Sequence, residues 1–187
     1  GLIKKLPYEK GITEVGNLEP GDKAVDMIVV NNTEELLVFD NIGKCYTIAV
    51  NDITSDGFES IGYPISNYIK TDNKIVKIMK RPDEDDKGYF VFLTKYGFIK
   101  KTDVNNYRNI NKNGLIATLL KKVNDDITDE LVNVEYIKKN KDILIYTTNG
   151  MALRFNTKTV SKTLRNTYGV IGIKLNGDDE VLGFNII

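Results

Sequence analysis

Four absences limit what this 187-residue chain can do. It contains no histidine, which excludes histidine-based catalysis and the usual zinc and iron sites. Its single cysteine, Cys45, excludes a disulfide within the chain. No apolar run approaches the ~20 residues of a membrane-spanning helix, and no signal-peptide pattern opens the chain. The missing membrane span and signal peptide predict a cytoplasmic protein or an excised domain. With no phosphate-binding loop and no clustered nucleophile and base, the sequence argues against an independent enzyme.

Charge is balanced in total but uneven along the chain. The 26 basic and 26 acidic residues give a net charge of zero. Residues 25–86 carry 6 basic and 12 acidic residues, whereas residues 87–174 carry 16 basic and 7 acidic residues. Two interpretations remain open at this point: a solvated surface with uneven charge, or a molecule of which one sector faces a polyanion.

Three apolar runs, each ending at a glycine, predict β-hairpins. The runs are ELLVFDNIG, YFVFLTKYG and DILIYTTNG, followed by the return strands KCYTIAV, FIKKTDV and MALRFNT. We expect the hairpins to turn at Asp40–Gly43, Lys95–Gly97 and Thr148–Gly150, with the glycine at positive φ. These glycines are 54 and 53 residues apart.

A second glycine recurs at the same period. Gly62, Gly114 and Gly169 each open a third strand-like run, and a fourth run follows. Four strands per unit of about 53 residues are typical of propeller-like blades. No segment has a sustained helical apolar period, so the sequence predicts an all-β fold. The units are a partial repeat over residues 1–24 and full repeats over 26–79, 88–136 and 142–187.

In order and spacing, these segments resemble the C-terminal domain of the A subunit of bacterial type II DNA topoisomerases. The resemblance rests on GLIKKLP, ELLVFDNIGKCYTI, SIGYPISNYI, FLTKYGFIKKT, DILIYTTNGMALRF and TYGVIGIKLNGDDEV. It implies a β-pinwheel, a propeller-like array whose blades exchange strands with their neighbours.

The same resemblance implies a function. The domain is expected to bind duplex DNA without sequence preference, to bend it along the outer edge, and to present it to the catalytic core of the same A subunit. Through that core it would act with the ATPase B subunit of an ATP-dependent topoisomerase (an isomerase), on the nucleoid in the bacterial cytoplasm. The DNA-cleaving tyrosine of such enzymes lies in another domain, so we expect no catalytic residue, cofactor or metal here.

Within the family the sequence is more similar to topoisomerase IV than to gyrase. Gyrase carries in this domain a motif that opens with glutamine and contains basic residues and paired glycines. This chain contains no glutamine, and residues 6–20 read LPYEKGITEVGNLEP, without adjacent glycines. SIGYPISNYI and NNYRNINKNGLIATLLK also favour topoisomerase IV.

The candidate DNA-binding residues follow the repeat. Lys5, Thr47, Lys101 and Arg154 each lie four residues after a turn glycine, so they share one face of equivalent strands. The three cations would form a stripe that neutralises phosphates without reading bases. Alternatively, strand-edge lysines only prevent edge-to-edge aggregation. Nearby cations that would widen the stripe are Lys4, Lys100, Arg108, Lys112, Lys158, Lys162 and Arg165.

Other features favour structural roles. The acidic run over residues 82–88 lacks the glycine and distal glutamate of a calcium loop, which predicts a solvated loop between blades. The tyrosines are expected to pack in strands rather than stack on bases, and Cys45 to be a buried thiol. The alternative function is a propeller-like scaffold that binds protein, favoured by the neutral total charge and the acidic first full unit.

Overall fold

Strands and turns make up the fold, as the glycine-punctuated β-branched and aromatic runs require. The computed structural model describes residues 1–8, 14–111 and 113–187. Helical geometry in these ranges is limited to 3₁₀ turns at Val50–Asp52, Ile65–Asn67, Val104–Tyr107 and Thr157–Thr159. The strands, in chain order, are β1 (Leu2–Ile3), β2 (Glu35–Asp40), β3 (Lys44–Ala49), β4 (Tyr63–Pro64), β5 (Ile75–Lys80), β6 (Tyr89–Thr94), β7 (Phe98–Asp103), β8 (Leu115–Ile116), β9 (Leu131–Ile137), β10 (Asp142–Thr147), β11 (Ala152–Asn156), β12 (Lys162–Thr163), β13 (Val170–Ile171) and β14 (Val181–Ile186). The all-β prediction is confirmed. Within the described ranges, no helix is long and apolar enough to cross a bilayer.

Three units repeat one layout, and we call them blades 1, 2 and 3. In each blade the first strand pairs antiparallel with the return strand of its hairpin and, on its other side, with the fourth strand. These strands are β2, β3 and β5 in blade 1, β6, β7 and β9 in blade 2, and β10, β11 and β14 in blade 3. The repeat predicted from the two sets of glycines therefore corresponds to a structural unit.

The third strand of each blade pairs with the return strand of the preceding unit. β4 of blade 1 pairs with β1, β8 of blade 2 with β3, and β13 of blade 3 with β7. β12 also adds to β7, in parallel. Neighbouring blades therefore share sheets, which is the strand exchange of a β-pinwheel. The described sheets do not close into a ring.

The hydrophobic core lies between blades rather than inside each one. Leu37 and Phe39 of β2 pack with Phe90 and Phe92 of β6, between blades 1 and 2. The alternate residues of β6, Val91 and Leu93, face the other way and pack with blade 3. Leu36 and Val38 likewise pack toward the first unit. Because successive side chains point to opposite faces, both faces are buried and the strands read as continuous apolar runs.

The hairpins turn where the sequence predicts. Gly43, Gly97 and Gly150 have φ of 81°, 85° and 78°. Each glycine amide donates to the carbonyl three residues earlier, at 3.2, 3.1 and 3.1 Å respectively. Left-handed backbone of this kind favours glycine over any residue with a Cβ. Cys45 is buried in the core between blades 1 and 2, as expected, and burial raises the pKa of its thiol.

Candidate nucleic-acid interface

Lys100, one of the predicted DNA-binding residues, lies inside the protein. It belongs to β7 and only 3% of its surface is exposed. Its ammonium group donates to the carbonyls of Ala117 (3.4 Å), Thr167 (3.2 Å) and Arg165. Burial, together with the nearby Arg165 guanidinium, lowers the pKa of Lys100 to about 7.

Lys101, the next residue, is also buried, with 5% of its surface exposed. Its ammonium group donates to Asn140 Oδ1 (2.9 Å) and to the carbonyl of Thr157 (2.8 Å), which opens the 3₁₀ turn of blade 3. Burial lowers the pKa of Lys101 as well. The side chain thus bonds the return strand of blade 2 to blade 3.

The first two lysines of the chain repeat this arrangement one blade earlier. Lys5 donates to the carbonyl of Val50 (3.2 Å), which opens the 3₁₀ turn of blade 1. Lys4 donates to the carbonyls of Phe58 (3.3 Å) and Ser60. Phe58 and Ser60 lie four and two residues before Gly62, and Arg165 and Thr167 lie four and two residues before Gly169. The GLIKK and GFIKK segments are therefore equivalent clamps, each fastening a return strand to the next blade.

This geometry corrects the expectation of an exposed cationic stripe. Lys5, Lys101 and Arg154 do share one strand position, but Lys101 is enclosed by the next blade and Lys5 is half-buried. The strand pattern defines the face of each side chain correctly. The pattern within one strand does not reveal that the next blade places its carbonyl groups against that face.

Arg108 anchors the acidic loop. Its guanidinium donates to the carbonyls of Pro82 (3.1 Å), Asp83 (2.7 Å) and Asp86 (2.9 Å). Residues 83–85 are exposed in the connection between β5 and β6, so the prediction of a solvated loop between blades is confirmed. Arg108 is thereby held on backbone oxygens of this loop.

The remaining predicted cations differ in exposure. Arg165 is half-buried and donates to the carbonyl of Ile116 (3.1 Å). Arg154 is exposed and donates to the carboxylate of Asp142 (2.8 Å), which holds the pKa of that carboxyl below its usual range. Lys158 and Lys162 are also exposed. Lys112 lies outside the described residues. DNA contact by any of these residues stays a prediction.

An accessible cationic surface surrounds the Lys101 clamp on blade 3. The amide of Thr157 donates to the carbonyl of Lys141 (2.8 Å), and the amide of Lys141 donates to Thr157 Oγ1 (3.0 Å), so the loop before β10 lies beside the 3₁₀ turn. Lys162 of β12 pairs in register with Lys101. Four exposed lysines therefore come together, and we call them the basic edge of blade 3: Lys139, Lys141, Lys158 and Lys162.

Among the three described blades, only blade 3 has this charge. The backbone bond between Thr157 and Lys141 has counterparts from Val50 to Glu34 in blade 1 and from Val104 to Gly88 in blade 2. Glutamate and glycine thus replace Lys141 in those blades, and Asn51 and Asn105 replace Lys158. The uneven charge along the sequence therefore corresponds to a difference in charge between the equivalent edges of the three blades.

Few acidic groups neutralise the basic edge. In the part of the chain that the structure describes, Lys139, Lys141 and Lys158 make no ion pair, and Lys162 lies 3.6 Å from a carboxylate oxygen of Asp103. Sequence reasoning singled out Lys158 and Lys162 but missed Lys139 and Lys141. The run KKNK at residues 138–141 was the available signal.

Sequence comparison finds similarity to the A subunits of gyrases. The family profile described as "DNA gyrase C-terminal domain, beta-propeller" matches residues 88–138 and 141–187, just over half of the chain. The chain is 39% identical over 154 residues to the DNA gyrase A subunit of Clostridium acetobutylicum, covering 81% of this chain and 18% of the relative. It is 33% identical over 171 residues to the DNA gyrase A subunit of Haloquadratum walsbyi, covering 88% of this chain and 19% of the relative. The chain spans about a fifth of the length of these curated relatives.

Two solved structures share the fold and part of the sequence. The C-terminal domain of DNA topoisomerase IV has a TM-score of 0.73 and 28% identity, covering 84% of this chain and 48% of that domain. The DNA gyrase A C-terminal domain has a TM-score of 0.67 and 27% identity, covering 98% of this chain and 58% of that domain. Both solved domains are longer than this chain.

Proposed function

Because this chain belongs to the family of C-terminal domains of type II topoisomerase A subunits, we propose that it binds duplex DNA and bends it for the catalytic core. The basic edge of blade 3 is the observation that carries this proposal. Four exposed lysines project from two loops and a strand that the Lys101 clamp holds together. Ammonium groups in such an array neutralise phosphates along a duplex without reading bases.

The proposed partners follow from the family. The domain acts beside the catalytic core of its own polypeptide and, through that core, with the ATPase B subunit, on nucleoid DNA in the bacterial cytoplasm. Bond cleavage and ATP hydrolysis belong to those other parts. The isolated chain is therefore expected to bend DNA but neither to relax it nor to hydrolyse ATP.

We further propose that the A subunit is of the topoisomerase IV type. The absence of glutamine supports this choice, because the gyrase motif opens with that residue. Reconstitution of the complete A subunit with its B subunit tests it. A topoisomerase IV type should decatenate linked circles and relax supercoils, whereas ATP-dependent introduction of negative supercoils would contradict the assignment.

Fluorescence anisotropy with a labelled duplex tests the DNA site. For the wild-type chain, log K should fall linearly with log salt, equally for unrelated sequences. Lys141→Glu combined with Lys158→Glu should weaken binding and flatten the slope by ~2 units, since each neutralised phosphate contributes about 0.9. Lys70→Glu with Lys74→Glu is the matched control, because both lysines are exposed on blade 1. Bending is read separately, from energy transfer between dyes on the two duplex ends.

The control decides between a local site and general attraction. Equal losses of DNA affinity in the two double variants would show that the basic edge is not the DNA-binding site. No binding even at low salt would leave the protein-binding scaffold as the better function.

A further inference from the structure

The loop between β12 and β13 presents two large side chains to solvent. Leu164 is 69% exposed and Tyr168 is 51% exposed. Exposed and half-buried residues alternate from Lys162 to Val170, so Lys162, Leu164 and Tyr168 all lie on the solvent side of this segment. Exposed apolar residues that stand singly need no explanation, but these two belong to one short loop. We call Leu164 and Tyr168 the apolar tip of blade 3.

The equivalent loops of the other two blades lack such a pair. Leu164 and Tyr168 lie five residues and one residue before Gly169, the glycine that precedes the third strand. Their counterparts, counted from Gly62 and Gly114, are Gly57 and Ile61 in blade 1 and Asn109 and Asn113 in blade 2. The apolar tip therefore occurs on the blade that also carries the basic edge.

The sequence around the apolar tip is cationic and free of acidic residues. No aspartate or glutamate occurs between Asp142 and Asp178. Lys162, a member of the basic edge, lies two residues before Leu164, and Arg165 follows it directly. An apolar side chain bordered by cations alone is complementary to a polyanion with an apolar interior. Base pairs stacked between two phosphate strands have this character.

Contacts with blade 2 fix the backbone of the loop. Lys100, the buried lysine of β7, donates to the carbonyls of Arg165 and Thr167 (3.2 Å). The carbonyl of Thr167 also accepts from the amide of Leu119 (3.2 Å), and Thr167 Oγ1 donates to the carbonyl of Leu164 (2.7 Å). The apolar tip is thus presented on a preformed loop, which reduces the cost of ordering it on binding.

We propose that Leu164 inserts between two base pairs from the minor groove and kinks the duplex, an inference that rests on the proposed DNA binding. Leucine is one of the side chains that DNA-bending proteins use as such a wedge. Tyr168 packs against the adjoining sugar and base, and the basic edge holds the phosphates beside the kink. The wedge opens a step without reading the bases, so it adds bending without a recognition sequence.

A duplex with one central mismatch tests the insertion, because a mismatched base costs less to unstack than a paired one. In anisotropy competition, the wild-type chain should prefer this duplex to the matched one by about tenfold, since unstacking a step costs a few kcal/mol. A 2-aminopurine base beside the mismatch should brighten on binding. Leu164→Ala should lose both effects and keep the salt slope, since it removes no charge. Leu164→Phe should keep all three.

Matched variants separate the wedge from a general apolar effect. Leu182→Ala is the control, because Leu182 is another exposed leucine of blade 3, on β14. It should leave the mismatch preference unchanged. Tyr168→Ala should reduce the preference several-fold, whereas Tyr168→Phe should keep it. With duplex saturated by protein, energy transfer between its ends should show a smaller bend for Leu164→Ala than for Leu182→Ala.

The outcomes distinguish this inference from the proposed function. Salt-dependent binding with no mismatch preference, or with a preference that persists in Leu164→Ala, would exclude insertion and leave the DNA site intact. No binding of the wild-type chain to any duplex at low salt would overturn both. If the wild-type chain, but not Leu164→Ala, sediments with phosphatidylglycerol vesicles and shows no mismatch preference, the apolar tip binds a lipid surface instead.

Discussion

At the scale of single residues, a buried ammonium group is costly unless every proton has an acceptor. Lys101 meets this condition with Asn140 Oδ1 and the Thr157 carbonyl, and the ring of Tyr89 lies 5.2 Å from its nitrogen. Asn140 and Thr157 belong to the next blade, so the charge holds two blades in one register. The lysine therefore contributes to the core although it is charged.

Removing this clamp should destabilise the fold. Lys101→Ala leaves the carbonyl of the buried Thr157 without this donor, which costs about 1–3 kcal/mol, so the free energy of unfolding should fall by about that amount. Lys158→Ala, on the exposed neighbouring turn, should change it by less than about 0.5 kcal/mol. Urea denaturation followed by circular dichroism measures both. Similar values for the two variants would mean that the Lys101 contacts do not stabilise the protein.

Lys100 should make stability depend on pH. Its pKa in the folded protein, about 7, lies below the ordinary value of 10.5, so between these limits the unfolded chain holds more protons on this group. Its contribution to the free energy of unfolding should therefore rise as pH increases from 7 toward 10.5. Denaturation of the wild type and Lys100→Met at several pH values isolates this contribution as their difference. A difference independent of pH would show that Lys100 stays protonated throughout.

The sequence predicted some residue roles and not others, for a definite reason. The position of Lys101 on a strand face follows from alternation within one repeat. Its burial depends on Thr157, 56 residues later, and no local pattern reveals that contact. Lys139 and Lys141 were missed because the loop before β10 meets the 3₁₀ turn only after folding.

At the scale of elements, one glycine position has two kinds of surroundings. Gly97 and Gly150 both turn hairpins at positive φ, but Gly97 lies against the next blade and Gly150 faces open space. Both glycines therefore share the conformational penalty of a Cβ, about 1–2 kcal/mol. At Gly97, a Cβ would in addition clash with the next blade.

Alanine at these two glycines should separate the two penalties. Gly150→Ala should lower the free energy of unfolding by about 1 kcal/mol. Gly97→Ala should lower it by roughly 3 kcal/mol or more, because the interface with blade 3 must also shift. Thermal unfolding of the two variants under one set of conditions measures the difference. Equal melting temperatures would show that the blade interface yields to a Cβ without cost.

Long strands were predictable and short exchanged strands were not. The six-residue strands β2, β6 and β10 each have four consecutive apolar or aromatic residues at their centre, which gives a strong local signal. The third strands β4, β8 and β13 are two residues long, and their partners lie in another repeat. The glycine before each marked their place, and their pairing came only from the resemblance to a known fold.

At the scale of the whole molecule, shared sheets should make the blades unfold together. Cys45 reports this, because it is buried between blades 1 and 2 and its thiol can be modified only when that interface opens. In native conditions, modification by a disulfide reagent should be at least ~10³-fold slower than in urea.

A distant variant tests the coupling between blades. Lys101→Ala acts between blades 2 and 3, and in a cooperative array it should accelerate Cys45 modification about 5–30-fold or more. An unchanged rate would mean that the two interfaces open independently, as in a repeat array with local unfolding. The loss of unfolding free energy in Lys101→Ala, measured in parallel by denaturation, gives the acceleration expected if all blades open together.

The exchange of strands also sets an order in time while the chain is being made. The return strand β3 ends at Ala49, but its edge partner β8 begins only at Leu115. Likewise, β7 ends at Asp103 and its antiparallel partner β13 begins at Val170. At a ribosomal rate of about 5–20 residues per second, each sheet stays incomplete for roughly 3–13 s after its own hairpin emerges. During this interval its edge and one apolar face remain open. Each sheet of a nascent chain of this fold is therefore completed only after the next repeat has been synthesised, and the same delay recurs for every blade.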